Sequence, residues 1–200
     1  MLHATILLFN EVEVLDFAGP FEVLSLAEEP QTKQKLIQVC TVAQKKELIR
    51  TRNGLQVMPD FDFSDLPPVD LLMIPGGYGA EEIEIHNTAL LEWLRFQANQ
   101  TPIIASVCTG AFLLATVGLL DGKRATTHWM DLDRLEKDYP AIDVQRGVKF
   151  VDEGNILTSG GISAGIELSF HLLSRLFGAT IPRQTAKRME YTISIPDETK

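Results

Sequence analysis

Six short, largely apolar stretches, separated by segments of helical periodicity, restrict the folds open to this chain more than any other feature. They are Thr5–Phe9, Lys35–Val42, Leu55–Met58, Leu71–Ile74, Ile103–Val107 and Ile156–Thr158. Several are continuous apolar runs rather than alternating ones, the pattern of strands covered on both faces. Helical patterns fill the gaps: Phe17–Ala27, Leu90–Ala98, Ala111–Val117, a shorter Met130–Lys137, and the long amphipathic Ile162–Phe177, which Gly178 closes as a C-cap. Strand and helix in alternation predict an α/β fold with a mostly parallel central sheet and helices on both faces. Such a sheet puts its chemistry at the carboxyl ends of strands, where strand order reverses. No repeat, low-complexity tract or linker divides the chain, so a single domain is expected over 1–200. Phe63–Val69, with Pro67 and Pro68, reads as a loop, and Ile181–Lys200 as a mixed-charge tail.

With 45% hydrophobic residues in 200, the chain can bury a full core. Its formal net charge of −9 argues against a nucleic-acid partner, which needs clustered cations, and against anionic membranes. Ile103–Leu120 carries no charge, but Ser106, Thr109, Gly110, Thr116 and Gly118 interrupt it and its period changes; a strand entering a helix explains it better than a membrane span. Met1–Asn10 lacks the basic region of a secretory signal, so a reducing cytoplasmic setting is expected. The two cysteines, Cys40 and Cys108, are then free thiols, and Cys40, inside a strand, reads as an inert core residue.

The most informative segment is Ile103-Ile104-Ala105-Ser106-Val107-Cys108-Thr109-Gly110-Ala111-Phe112. A strand stops at Cys108, a helix begins directly after it, and Gly110 leaves room for the two to approach. The arrangement parallels a nucleophile elbow with sulfur in place of a hydroxyl. The amino end of the following helix favours thiolate, and its N–H groups can stabilise a developing anion. Leu71–Ile74 leads into Pro75-Gly76-Gly77-Tyr78-Gly79, which reads either as an oxyanion or substrate loop beside Cys108 or as a tight turn without a ligand. Asp16, just past the first strand, reads either as a cap on the helix beginning near Ala18 or as a carboxyl partner of the thiol. Of the four histidines, His128 is best placed to line the pocket; His3 and His86 read as surface positions, and His171 follows Glu167 by one helical turn. Thr158–Gly165 is a Gly-rich turn opening a helix without the lysine of a P-loop. No His, Cys and carboxylate grouping has metal-site spacing, and no cofactor is implied.

Taken together, Asp16–Pro20, Pro75–Gly79, Ala105–Ala111, Leu119–Trp129 and Thr158–Gly165 resemble the ThiJ/PfpI superfamily, whose members are class I glutamine amidotransferase-like. The resemblance is strongest to its isonitrile hydratase-like branch and to the sensor domains of AraC-type regulators. It implies a flavodoxin-like three-layer sandwich, usually dimeric, with Cys108 on the elbow and Asp16 as its acidic partner. Gly77 matches the oxyanion position, and Thr109 the residue after the cysteine. The proteases and deglycases of the superfamily have histidine where Thr109 stands, which points away from peptidase chemistry. The regulators carry a DNA-binding region after this domain; with the sequence stopping at Lys200, none is expected here, and DNA binding is not expected either.

The resemblance implies a cysteine-dependent hydratase or hydrolase acting on a small electrophile, most like an isonitrile hydratase giving N-substituted formamides. Cys108, Asp16 and Thr109 would be catalytic, and Gly76, Gly77, Tyr78 and His128 would line the pocket. A carboxylate beside a thiolate repels it, so Asp16 is expected to hold or share a proton at rest. The alternative is a non-catalytic ligand or oxidative-stress sensor using the same thiol.

Overall fold

The computed structural model describes residues 1–193. The elements follow as β1 (Leu2–Leu7), α1 (Val14–Ser25), β2 (Ile37–Ala43), β3 (Ile49–Arg50), β4 (Gln56–Val57), β5 (Phe61–Asp62) and β6 (Leu71–Ile74). A π-helical turn (Gly79–Ile83) and a 3-10 turn (Glu84–His86) lead into α2 (Thr88–Ala98), β7 (Ile103–Val107), α3 (Gly110–Thr116), β8 (Arg124–Ala125) and α4 (Leu132–Asp138). The chain continues with β9 (Asp143–Val144), β10 (Phe150–Asp152), β11 (Ile156–Ser159), α5 (Ala164–Phe177) and α6 (Thr180–Arg188).

Seven strands form the central sheet in the order β10-β11-β7-β6-β1-β2-β5. All its pairings are parallel except the edge strand β10, which runs antiparallel to β11. Every residue of β6, β7 and β11 is buried, as the continuous apolar runs require. Helices α1 and α5 pack together on one face; α2 and α3 cover the other. Phe112, 1% exposed, anchors α3 in the core, and its ring meets Tyr139 edge-on at 6.0 Å. The sandwich is thus the α/β architecture expected.

The chain leaves β1 toward β2 on one side and returns to β6 on the other, so strand order reverses between β1 and β6. At such a reversal the loops at the carboxyl ends diverge and leave a crevice. Asp16 follows β1, Gly76 follows β6 and Cys108 follows β7, so three segments distant in sequence meet there.

Several boundaries differ from expectation. Leu55–Met58 does contain a strand, but only Gln56–Val57, and it stays out of the central sheet, pairing with Ile49–Arg50 in a separate antiparallel ribbon with Leu55 and Met58 exposed. The apolar run lacked the flanking helices that would cover it. The tail predicted from Ile181 contains most of α6, whose Ile181, Pro182, Thr185 and Ala186 are buried. The short strands β5 and β10 carry no continuous apolar signal and were not expected. Gly178, at φ +77°, ends α5 as predicted. No described helix is long and apolar enough to cross a membrane.

Candidate active site

Cys108 sits in the left-handed region at φ +56°, where a Cβ is disfavoured. Such strain, on the order of 1–3 kcal/mol, persists only when neighbours over-determine it. Here they do. The Cys108 N–H donates to the carbonyls of Ser159 (3.2 Å) and Gly160 (3.1 Å), and its own carbonyl accepts from Thr127 Oγ1 at 2.8 Å. Gly110 follows because a Cβ there would lie 2.2 Å from the Ile74 carbonyl oxygen at the end of β6. Helix and strand can approach this closely only with no side chain between them.

The Pro75–Gly79 loop closes over this turn. A Cβ on Gly76 would meet the Thr109 nitrogen at 2.5 Å and Cys108 Cβ at 2.8 Å. The Thr109 hydroxyl accepts from the Gly77 N–H at 2.9 Å, and it stands 3.2 Å from the Gly77 carbonyl, to which it can donate. Thr109 is therefore a clasp between the elbow and the glycine loop.

Asp16 is fully buried. It does not cap a helix: α1 already begins at Val14, which places Asp16 inside the first turn. Its carboxyl instead accepts the Gly76 N–H at 3.0 Å through Oδ2 and the Ile162 N–H at 3.1 Å through Oδ1. Ile162 itself lies at φ +53°, so a second strained residue presents its amide to the same carboxyl. Burial drives the Asp16 pKa up to about 7, against the two backbone donors and the Cys108 thiol; the nearby Glu13 adds to the rise.

The same surroundings push the Cys108 thiol well above its ordinary value, first by burial and then by the Asp16 charge. The Thr109 N–H at the amino end of α3 acts toward the sulfur and lowers it, but is outweighed. The thiolate favoured by the helix amino end is thus corrected to a protonated thiol. Cys108 is also only 7% exposed, which does not fit an accessible thiol.

One further expectation changes. Gly77 lies in the loop beside Cys108, but its N–H is already taken by Thr109, so it does not present a free oxyanion donor. The Gly76 N–H is likewise taken, by Asp16. His128 packs its ring against Gly161, and its Nδ1 stands 3.4 Å from both Asp131 Oδ2 and the Met130 nitrogen. The acid–base partner in contact with Cys108 is Asp16, not this imidazole. Tyr78 is half-exposed at the start of the π turn.

Three participants escaped sequence reading. Ile162 supplies a backbone amide, which no side-chain pattern encodes. Glu13 and Asp131, at the starts of α1 and α4, act through charge on Asp16 and Cys108 respectively; Glu13 is three residues from Asp16 in the chain, whereas Asp131 is brought toward Cys108 by folding. Cys40 is buried, with its sulfur 3.3 Å from Thr5 Oγ1, as its core reading implies. Among the described residues, no group of three or more His, Cys, Asp or Glu could hold a metal ion.

The model of the DJ-1/PfpI family matches residues 3–175. The chain belongs to the DJ-1/PfpI family. It is 36% identical over 195 residues to the isonitrile hydratase of Pseudomonas putida, covering 98% of this chain and 81% of that protein. It is 32% identical over 136 residues to the HTH-type transcriptional regulator CdhR of Pseudomonas aeruginosa, covering 68% of this chain and 40% of the regulator. The chain thus spans less than half of that regulator. A ThiJ/PfpI family protein from Pseudomonas syringae superposes with a TM-score of 0.84 at 24% identity, covering 97% of this chain and 76% of the other. Drosophila melanogaster DJ-1beta gives 0.81 at 22% identity, over 96% and 99%. These superpositions establish the fold that the DJ-1/PfpI chain shares.

Proposed function

We propose that this DJ-1/PfpI protein is a cysteine-dependent isonitrile hydratase, a single domain that converts R–NC and water to R–NH–CHO. The observation that carries the reading is the buried Cys108–Asp16 pair, with the carboxyl fixed beside the thiol by the Gly76 and Ile162 amides; burial raises the carboxyl pKa to about 7 and pushes the thiol up. The likeness to the Pseudomonas putida isonitrile hydratase supports the substrate class.

The neutral thiol needs a base, and ionised Asp16 is the group in contact with it. As sulfur adds to the terminal isonitrile carbon, Asp16 takes the thiol proton and returns it to that carbon, leaving a thioimidate, R–N=CH–S–Cys108. Water then adds, hydroxyl to carbon and proton to nitrogen, with Asp16 relaying the proton. Collapse of R–NH–CH(OH)–S–Cys108 forms the carbonyl, expels sulfur and returns the hydroxyl proton to the thiol. The Gly76 and Ile162 amides hold Asp16 in place throughout, and the Thr109 N–H steadies charge on sulfur. Thr109 acts through the loop it clasps.

Cys108→Ala should abolish formamide production, and Asp16→Asn should reduce kcat/KM by at least 100-fold, followed by chromatography of the formamide. Full activity in Cys108→Ala would sink the proposal. The chain is expected to act as a cytoplasmic homodimer on a small molecule, without nucleic acid or membrane. Light scattering should then give twice 22.2 kDa.

A sensor reading draws on the likeness to CdhR and to DJ-1 proteins. Mass spectrometry after mild peroxide separates the readings: selective oxidation of Cys108 without formamide production favours sensing.

A further inference from the structure

A second cavity opens at the carboxyl ends of β1 and β2, on the far side of β1 from the crevice that holds Cys108. Its volume is about 280 Å³, and its apolar walls are Leu8, Phe9, Ala43, Ile49 and Leu90, all buried. Of the ionisable groups that line it, one is buried: Glu84, on the 3-10 turn before α2. The residue is 8% exposed. Asn87 Nδ2 donates to Glu84 Oε2 at 2.7 Å and also to Gln44 Oε1 at 2.8 Å, which holds the carboxyl in one orientation. Among the described residues no donor reaches Oε1 of Glu84, which is left open to solvent in the cavity.

A buried carboxylate without a cation is expensive to maintain. Among the described residues, no Lys or Arg makes an ion pair with Glu84. Burial raises its pKa and the Asn87 bond alone opposes the rise, with no charged side chain contributing. Lys45 and Glu47 stand at the mouth, one of each sign, and neither compensates the carboxyl within. A cavity with apolar walls, a polar rim of Asn10, Gln44, Lys45 and Glu47, and one oriented, uncompensated buried acid at the end of parallel strands has the composition of a small-molecule site.

We propose that this cavity binds a small organic cation with an apolar body, such as a primary alkylammonium, whose head group pairs with Glu84 while its chain lies against Leu8, Ala43, Ile49 and Leu90. An ammonium can supply the donor that Oε1 lacks, and a short alkyl chain displaces water from the apolar walls. Anionic ligands would face the carboxylate, and neutral ones would leave it uncompensated. The site is separate from the Cys108 crevice and does not depend on the hydratase reading. The π turn and the 3-10 turn, Gly79 to His86, link it directly to the glycine loop over Cys108.

The probe is n-butylammonium, titrated at pH 8 by NMR into the full chain, with n-butanol as its neutral counterpart. Saturable shifts at the methyl groups of Leu8, Ala43, Ile49 and Leu90 are expected. Glu84→Gln, which keeps the acceptor for Asn87, should weaken binding at least tenfold. Cys108→Ala should bind as the wild type does. Leu48 is half-exposed at the rim, so Leu48→Arg keeps the fold while placing a competing cation at the mouth, and it too should weaken binding. The proposal is overturned if the wild type shows no saturable binding, if butanol binds equally well, if Glu84→Gln binds unchanged, or if the shifts map elsewhere on this acidic surface.

Discussion

Asp16 and Cys108 define each other's protonation. The carboxyl loses its water to burial and regains two backbone donors, which leaves its pKa near 7 rather than in the usual carboxylate range. If ionised Asp16 is the base, kcat/KM for an isonitrile should rise as pH passes through about 7 and level off above it. Asp16→Asn should remove that limb, a difference that a pH–rate profile of free enzyme reads directly. Thr109 offers a second test. Thr109→Val keeps the shape but leaves the Gly77 N–H without its buried partner, costing about 1–3 kcal/mol in urea denaturation. The left-handed backbone of Cys108 was anticipated in kind, because the strand–Cys–Thr–Gly–helix string demands a sharp turn. The raised thiol was not, since desolvation depends on atoms that no local pattern contains.

At the scale of elements, the elbow works because β6, β7 and α3 approach within the reach of a missing Cβ. Gly76→Ala puts a methyl group 2.5 Å from the Thr109 nitrogen, and backbone cannot yield as a flexible side chain can. This variant should lose both stability and activity, by about 1–3 kcal/mol for an overpacked site, as seen in a lowered melting temperature. Phe112→Ala empties the core side of α3 and should cost about 3–5 kcal/mol. The helix patterns survived folding well, with α2 ending at Ala98 and α5 at Phe177 as predicted. Short edge elements did worse. β5 and β10 exist because a neighbouring strand offers its edge, and two or three residues carry too little pattern to announce that.

For the molecule as a whole, the buried acid leaves a signature in stability. Asp16 holds its proton more tightly folded than unfolded, so between about pH 4 and 7 the native state binds more protons. Its contribution is fully present below pH 4 and is lost as pH rises through about 7. The size is a few kcal/mol at most, at about 1.4 kcal/mol per pKa unit. Urea denaturation at pH 5 and pH 8 should show a smaller pH-dependent loss in Asp16→Asn than in the wild type.

The sequence by itself determined the alternation of buried strands and helices, and with it the parallel sheet, because burial on both faces forces continuous apolar runs. It also determined the elbow, because Cys108, Thr109 and Gly110 are neighbours in the chain. Only the tertiary structure decided what surrounds the thiol. Asp16 takes its amide donors from Gly76, 60 residues away, and from Ile162, 146 residues away, and Thr109 clasps Gly77 across 32. The Asp16–Gly76 contact spans the point where strand order reverses between β1 and β6, and the Thr109–Gly77 clasp joins the loops of the neighbouring strands β6 and β7. The withdrawal of water that follows, more than any residue's identity, sets which group near Cys108 holds the proton.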